Sequence, residues 1–166
     1  MLKQSGTLPN FDMLTTTIKR SIKSSFIDLG QAMLDWIILQ MHADNKTGYW
    51  YGYRTKDDII GPYLEKPQSM TIHSSDYQWH HASAPMEYPA YWWGGLQQQL
   101  HSNVFGYSKM TLSSNAPYSS LLEYGGVTYW LGHSISIKPR RYMYQTIYKF
   151  KPYGVYLLRK YIQKSL

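Results

Sequence analysis

The sequence predicts an α+β domain in which a long N-terminal helix packs on a mostly antiparallel sheet and a basic helix closes the chain. Three observations predict it: an apolar stripe at helical spacing near the N-terminus, alternating apolar and polar residues mid-chain, and a second helical pattern at the end. We divide the chain into an N-terminal arm, residues 1–10, and a single domain, residues 11–166. A chain of 166 residues can bury a core without disulfides or metals.

The first predicted element is a helix of about eight turns, because its apolar residues recur every three or four positions. The stripe consists of Phe11, Leu14, Ile18, Ile22, Phe26, Leu29, Met33, Trp36, Ile37 and Met41. Lys19, Arg20 and Lys23 lie off it. Gly30 weakens the helix by about 1 kcal/mol relative to Ala, which indicates that another backbone approaches there.

The middle of the chain predicts a loop, a short strand and a hairpin. Residues 57–67 have the composition of a loop, and Ser69–His73 favours a strand. Pro85 and Pro89 restrict the backbone before them to extended conformations, so residues 82–90 predict an ordered, irregular loop, which we interpret as an interaction arm. Alternation over 96–104 and 109–114 predicts a hairpin.

The C-terminal third predicts a short helix, a strand and a final helix. Pro117 is suited to the first turn of a helix, and Gly125 or Gly126 to its left-handed end. Residues 127–137 predict one strand. Pro139 then opens a basic, aromatic helix that we expect to break at residues 152–154.

Composition favours docking over catalysis. The chain has no Cys, and 17 Tyr and six Trp, side chains that suit protein interfaces but also half-buried sheet faces. The net charge is +7, and its whole excess lies after residue 123, where there are eight Lys or Arg and no acid. Such a segment attracts either phosphate or an acidic protein surface, and the sequence leaves both open.

Patterns for catalysis, metal binding or membrane insertion are missing from the sequence. His80 and His81, with His73, Asp76 and Glu87 nearby, do not match a zinc spacing. There is no phosphate-binding Gly loop, no nucleophile elbow and no apolar run of membrane-spanning length. Trp92 and Trp93 suit stacking on a sugar or base, although packing is their commoner use. We therefore expect no enzymatic activity and no cofactor.

Several short motifs resemble a known family when taken in order. Residues 81–90 read HASAPMEYPA, Gly95 and His101-Ser102 follow, and residues 115–125 read NAPYSSLLEYG. A third motif, residues 138–143, reads KPRRYM. Together they resemble the head-tail joining, or neck, proteins of long-tailed bacteriophages, with A-S-A-P-G-E-x-P-A, T-G-x-L, Y-x-x-x-L-E-Y/F-G and P-R-P-F. Met86 stands where that family usually has Gly, Gly94 where it has Thr, and Arg141 where it has the second Pro.

The resemblance implies a structural virion protein, assembled in the host cytoplasm, whose copies form a ring joining the capsid portal to the tail. Expected partners are copies of itself, portal and tail proteins and, non-specifically, transiting DNA. The expected subunit-interface residues are Pro85, Glu87, Tyr88, Pro89, Trp92, Trp93, Tyr118, Leu122, Glu123 and Tyr124. The residues expected to face a partner or DNA are Lys138, Arg140, Arg141, Lys149 and Lys151.

Glu123 carries a hypothesis of its own. A carboxylate at the end of a short helix is disfavoured by the helix dipole, so another group must compensate. We expect Glu123 to accept hydrogen bonds from backbone N–H groups or from Arg140 or Arg141.

Two other functions are alternatives to the neck protein: a non-specific nucleic-acid-binding module and a carbohydrate-binding domain.

Overall fold

A computed structural model describes residues 11–55, 58–68, 76–90, 95–130 and 133–165. It confirms the α+β fold. The helices are α1 (Phe11–Met41), α2 (Gly95–Gln98), α3 (Ser119–Tyr124) and α4 (Tyr142–Ser165). The strands are β1 (Trp50–Thr55), β2 (Asp58–Tyr63), β3 (Gln78–His81), β4 (Leu100–Phe105), β5 (Lys109–Ser114), β6 (Gly126–Trp130) and β7 (His133–Ile137). The predicted strand at residues 69–73 and Trp92 and Trp93 lie outside the described residues.

The two long helices, α1 and α4, pack along each other and form the main layer of the domain. Their contact is close because Gly154 has no side chain: a Cβ there would lie 2.9 Å from Leu29 Cδ2. On another side of α1, a Cβ at Gly30 would lie 2.6 Å from Ser102 Oγ. The two glycines therefore let α1 approach α4 and β4 at short range.

The strands of the described residues form three small antiparallel sheets. In the first, β1 lies between β2 and β3. In the second, β4 pairs with β5 from Leu100↔Ser114 to Phe105↔Lys109, and this ribbon packs against α1. The third is a ribbon of β6 and β7 alone.

The core lies on the α1 stripe and divides into two clusters. One joins Ile37 and Met41 to Leu96, Ala116 and Tyr142, where the end of α1 and the start of α4 meet. The other joins Leu29, Met33 and Leu157 farther along the two helices. The apolar periodicity of α1 thus correctly located the buried face.

Several sequence-based boundaries were wrong. Residues 58–63 form strand β2 instead of a loop, and Leu96 lies in α2 instead of the hairpin strand. Residues 127–137 contribute to two paired strands, β6 and β7, instead of one. The short helix α3 begins at Ser119, two residues after Pro117.

The last helix differs most from expectation. It begins at Tyr142 instead of Pro139 and continues through Pro152 and Gly154 without the expected break. A proline inside a helix removes one hydrogen bond and costs about 3 kcal/mol. Packing of Phe150, Leu157 and Tyr161 against α1 offsets that cost, so tertiary contacts override the local preference.

Candidate functional site

The Glu123 carboxylate caps the start of α4, although Glu123 is 19 residues before it in the chain. Its Oε2 accepts a hydrogen bond from the backbone N–H of Met143, and its Oε1 one from Tyr144, both at 3.0 Å. These are the donors that a helix N-cap side chain normally satisfies. Here the residue before α4 is Arg141, which has no acceptor in its side chain. The structure thus confirms that Glu123 accepts hydrogen bonds from backbone N–H groups.

Backbone hydrogen bonds reinforce this junction between α3 and α4. The N–H of Arg140 donates to the carbonyl of Leu122 at 2.7 Å, and that of Arg141 to the carbonyl of Glu123 at 3.2 Å. Gly125 ends α3 with φ of 74°, and a Cβ there would lie 2.8 Å from the carbonyl oxygen of Ile137. Glycine is needed here on both counts.

Arg140 connects the α4 start to the irregular loop instead of binding Glu123. Its Nε donates to Ser83 Oγ at 2.8 Å, and its Nη2 to the Ser83 carbonyl at 2.9 Å. Its Nη1 donates to the Lys138 carbonyl at 3.1 Å. Burial lowers the pKa of the Arg140 guanidinium below its ordinary value. The Arg140 guanidinium therefore makes three hydrogen bonds to groups of its own chain.

Glu87 fixes the loop at a second point. Its Oε2 accepts from the backbone N–H of Ala84 at 2.8 Å and of Thr47 at 3.2 Å, and its Oε1 accepts from the Thr47 hydroxyl. Burial alone would raise the pKa of Glu87, but these hydrogen bonds and the charge of Lys46 outweigh it and lower the pKa. Glu87 therefore carries its negative charge in a structural bridge.

Lys46 is a buried cation under the same loop. Its Nζ donates to the carbonyls of Gln40, at 2.6 Å, and of Tyr88, at 3.1 Å. Burial lowers the pKa of Lys46, and the Glu87 carboxylate opposes that effect. The ammonium group thus joins the C-terminal end of α1 to the loop.

Met86 has a left-handed backbone, with φ of 66°. Its N–H donates to the Pro139 carbonyl at 3.1 Å, and its carbonyl accepts from Gln145 Nε2 at 2.9 Å. A left-handed conformation is strained for a residue with a Cβ. These two contacts with the α4 region hold it in place.

Tyr88 and Tyr142 place phenol groups between the loop and the helices. The Tyr88 hydroxyl accepts from Trp36 Nε1 at 3.1 Å and lies 3.0 Å from Thr146 Oγ1. Tyr142 is fully buried, and its hydroxyl has no hydrogen-bond partner within the described ranges. Burial is the main cause that raises the pKa of Tyr142, and the negative charge of Glu123 raises it further.

We refer to Ser83, Met86, Glu87, Glu123 and Arg140 as the motif cluster.

The structure places the predicted interface residues in three groups. Glu87, Tyr88, Pro89, Leu122 and Glu123 are buried or half-buried, and the hydrogen-bonded ones bind other parts of the same chain. The exposed ones are Pro85, Tyr118 and Tyr124. Trp92 and Trp93 lie outside the described residues. Residues 82–90 thus lie against the domain body.

A second exposed surface contains two residues, Val127 and Tyr129, that the sequence analysis did not select, because the pattern of residues 127–137 indicates a single strand. In the β6–β7 ribbon, Val127 and Tyr129 are 61% and 78% exposed and share one face with Ser134 and Ser136. Tyr124, just before the ribbon, is 79% exposed. The signal was present: residues 124–137 contain no Lys, Arg, Asp or Glu. We call Tyr124, Val127 and Tyr129 the ribbon face.

The predicted basic residues do not act as one set. Lys138, Arg141, Lys149 and Lys151 are exposed, whereas Arg140 belongs to the motif cluster. The Lys149 ammonium lies 3.4 Å from the centre of the Trp36 ring, a cation–π contact between α4 and α1. Lys138, Arg141 and Lys151 are therefore the cations best placed to meet a partner.

A cavity of about 370 Å³ lies beside the motif cluster. Its walls include Met41, Leu96 and Leu122, and its ionisable groups are His80, Tyr118 and Arg140. Burial, and then the charge of His81, lower the pKa of His80 to about 4, so this imidazole is neutral at pH 7. The Arg140 guanidinium in its wall already binds Ser83.

The described part of the chain holds no group of three side chains that could bind a metal ion. None of the described helices is long and apolar enough to cross a membrane. Compared with models of protein families, with curated proteins and with solved structures, the chain gives no match.

Proposed function

We propose that this chain is a non-enzymatic subunit of a bacteriophage neck, whose copies form a ring between the capsid portal and the tail. One observation carries the proposal. The three motifs that resemble neck proteins are separated in sequence, and hydrogen bonds join them in the fold. The Arg140 side chain binds Ser83, the Met86 N–H binds the Pro139 carbonyl, and the Arg140 N–H binds the Leu122 carbonyl. Motifs that share a structural task in a family are expected to converge in this way.

The chemistry of the cluster supports a structural role. Glu87, Glu123, Lys46 and Arg140 direct most of their hydrogen bonds to backbone groups of the same chain. Charges used in this way stabilise a turn or a helix end and are unavailable to a substrate. This supports a rigid assembly component over the carbohydrate-binding rival.

The ribbon face is our candidate for the contact between neighbouring copies. A two-stranded ribbon alone is marginally stable in water, and an uncharged strand edge invites pairing with another chain. Head-to-tail contacts between identical chains use two different surfaces and close into a ring when the rotation between neighbours permits it. A stable contact of this kind buries roughly 1,200 Å² or more.

The exposed cations suit a conduit for DNA. Lys138 and Arg141 lie in a segment of the chain without acidic residues, and cations that meet phosphates give binding that depends on salt and ignores sequence. Such contacts let a duplex pass without a fixed register.

The test is whether particles assembled without this chain recover tails when it is added. We expect wild-type protein to restore tail attachment, and electron microscopy to show a ring of its density at the head-tail junction. The double variant Val127→Asp, Tyr129→Lys should fail, whereas Leu64→Lys, at a site 82% exposed outside the ribbon face, should succeed. Particles that attach tails without the chain would refute the proposal.

A further inference from the structure

An open apolar groove runs between α1, β5 and α4. Its volume is about 490 Å³. The floor contains Leu29 and Met33, which are buried, together with Met110. Ile147 and Val155 on the α4 side remain 49% and 47% exposed. Such a volume accommodates a few side chains of a partner.

Two lysines give the groove its charge. Lys109 from β5 and Lys151 from α4 line it and are exposed, and none of its described lining residues is acidic. Tyr144 and Tyr148 complete the rim, and Tyr148 is 73% exposed. Aromatic residues around an apolar floor are typical of protein interfaces, and the lysines select for negative charge at the edge.

We infer that this groove binds a short segment of a partner protein that combines apolar side chains with Asp or Glu. The apolar residues would lie over Leu29, Met33 and Met110, and the carboxylates would reach Lys109 and Lys151. The inference does not depend on a neck function, because it rests on this surface alone.

Two other occupants fit less well. The chain's own residues 1–10 contain one Lys and no acid, so their charge does not complement the lysines. A nucleic acid would place its phosphates against the apolar side chains of Leu29 and Met33. The phosphates would lose hydrogen bonds to water there and gain none from these side chains, which is unfavourable. An acidic, apolar peptide satisfies both parts of the groove.

Methionine methyl groups offer a direct test by NMR. With methyl-labelled methionine, a synthetic helical peptide of Glu and Leu should shift the signals of Met33 and Met110. The signal of Met86, which is 52% exposed on the irregular loop, should stay in place. A matched peptide with Lys for every Glu, and a thymidine oligonucleotide, should leave all three signals unchanged.

Charge reversal tests the lysines against a matched pair. Lys109→Glu with Lys151→Glu should weaken binding of the Glu-Leu peptide by roughly tenfold, because two attractions become repulsions. Lys160→Glu with Lys164→Glu makes the same charge change at exposed positions outside the groove and should change binding less than about twofold.

Four results would overturn the inference. They are no peptide binding, equal losses in the two double variants, shifts of Met33 and Met110 caused by the oligonucleotide, and shifts of these two signals on simple concentration of the protein. The last result would assign the groove to a second copy of this chain. Failure of the wild-type protein to restore tail attachment, without any of these four results, would count against the neck proposal alone.

Discussion

The motif cluster and the ribbon face use polar and aromatic residues in opposite ways. In the cluster, Glu123 is 6% exposed and accepts two hydrogen bonds from the first turn of α4. In the ribbon, Tyr129 is 78% exposed and no charge lies nearby in sequence. The buried charges of the motifs that resemble a family therefore hold the fold together, whereas the ribbon face, to which these motifs contribute Tyr124, is open to partners.

The largest expected effect is the loss of the Glu123 cap. Glu123→Ala would leave two N–H groups of α4 without their acceptor, and we expect the free energy of unfolding to fall by about 2–4 kcal/mol. Urea denaturation followed by circular dichroism measures it. Glu65→Ala removes an exposed carboxylate and serves as the control. Equal stability of the two variants would remove the cluster's structural role.

The second test uses pH on Glu87, whose folded pKa lies below its ordinary value of 4.5. A carboxyl group with a lowered folded pKa stabilises the protein above its unfolded pKa, and this contribution disappears as pH falls through the folded value. We expect Glu87→Gln to be less stable than wild type by about 1–2 kcal/mol at pH 7.

The same difference should shrink as the pH drops below 4.5. Denaturation curves of both proteins at several pH values measure this trend. A difference that stays constant with pH would show that the charge of Glu87 is not what stabilises the loop.

The third test uses Met86, where we expect the usual order of stability of Ala and Gly variants to be reversed. In most positions Gly is less stable than Ala, but at φ of 66° the Ala Cβ is strained. We therefore expect Met86→Gly to be more stable than Met86→Ala by about 1 kcal/mol. Thermal unfolding of the two variants compares them directly. If Ala proved the more stable, the left-handed turn would be wrong.

The smallest effect concerns the contact between Lys149 and Trp36. Lys149→Met keeps the aliphatic stem but removes the charge over the ring, and we expect a loss of about 0.5–1 kcal/mol. Lys160→Met, at an exposed position of the same helix, is the matched control. The tryptophan fluorescence of the protein, to which Trp36 contributes as one of six Trp, should change only in the first variant. Identical spectra and stabilities would show that Lys149 is free for a partner.

The long helix, its buried face and the Glu123 contact with backbone N–H groups were predictable because each follows from local spacing or charge. The course of the chain through Pro152 was not, since packing of Leu157 against Leu29 and Met33 decides it. The inward position of Glu87 could not be predicted from the sequence, because its hydrogen-bond partner Thr47 is distant in the chain. The exposure of Val127 could not be predicted either, because it depends on the pairing of β6 with β7, and the apolar periodicity of residues 127–137 did not indicate two strands.

The most direct measurement compares binding of two variants to particles assembled without this chain. Glu123→Gln should lower the melting temperature yet restore tail attachment when folded. Tyr129→Lys should keep the melting temperature of wild type and fail to restore it. If Tyr129→Lys attached tails normally while folded Glu123→Gln could not, the docking surface would be the motif cluster and not the ribbon face.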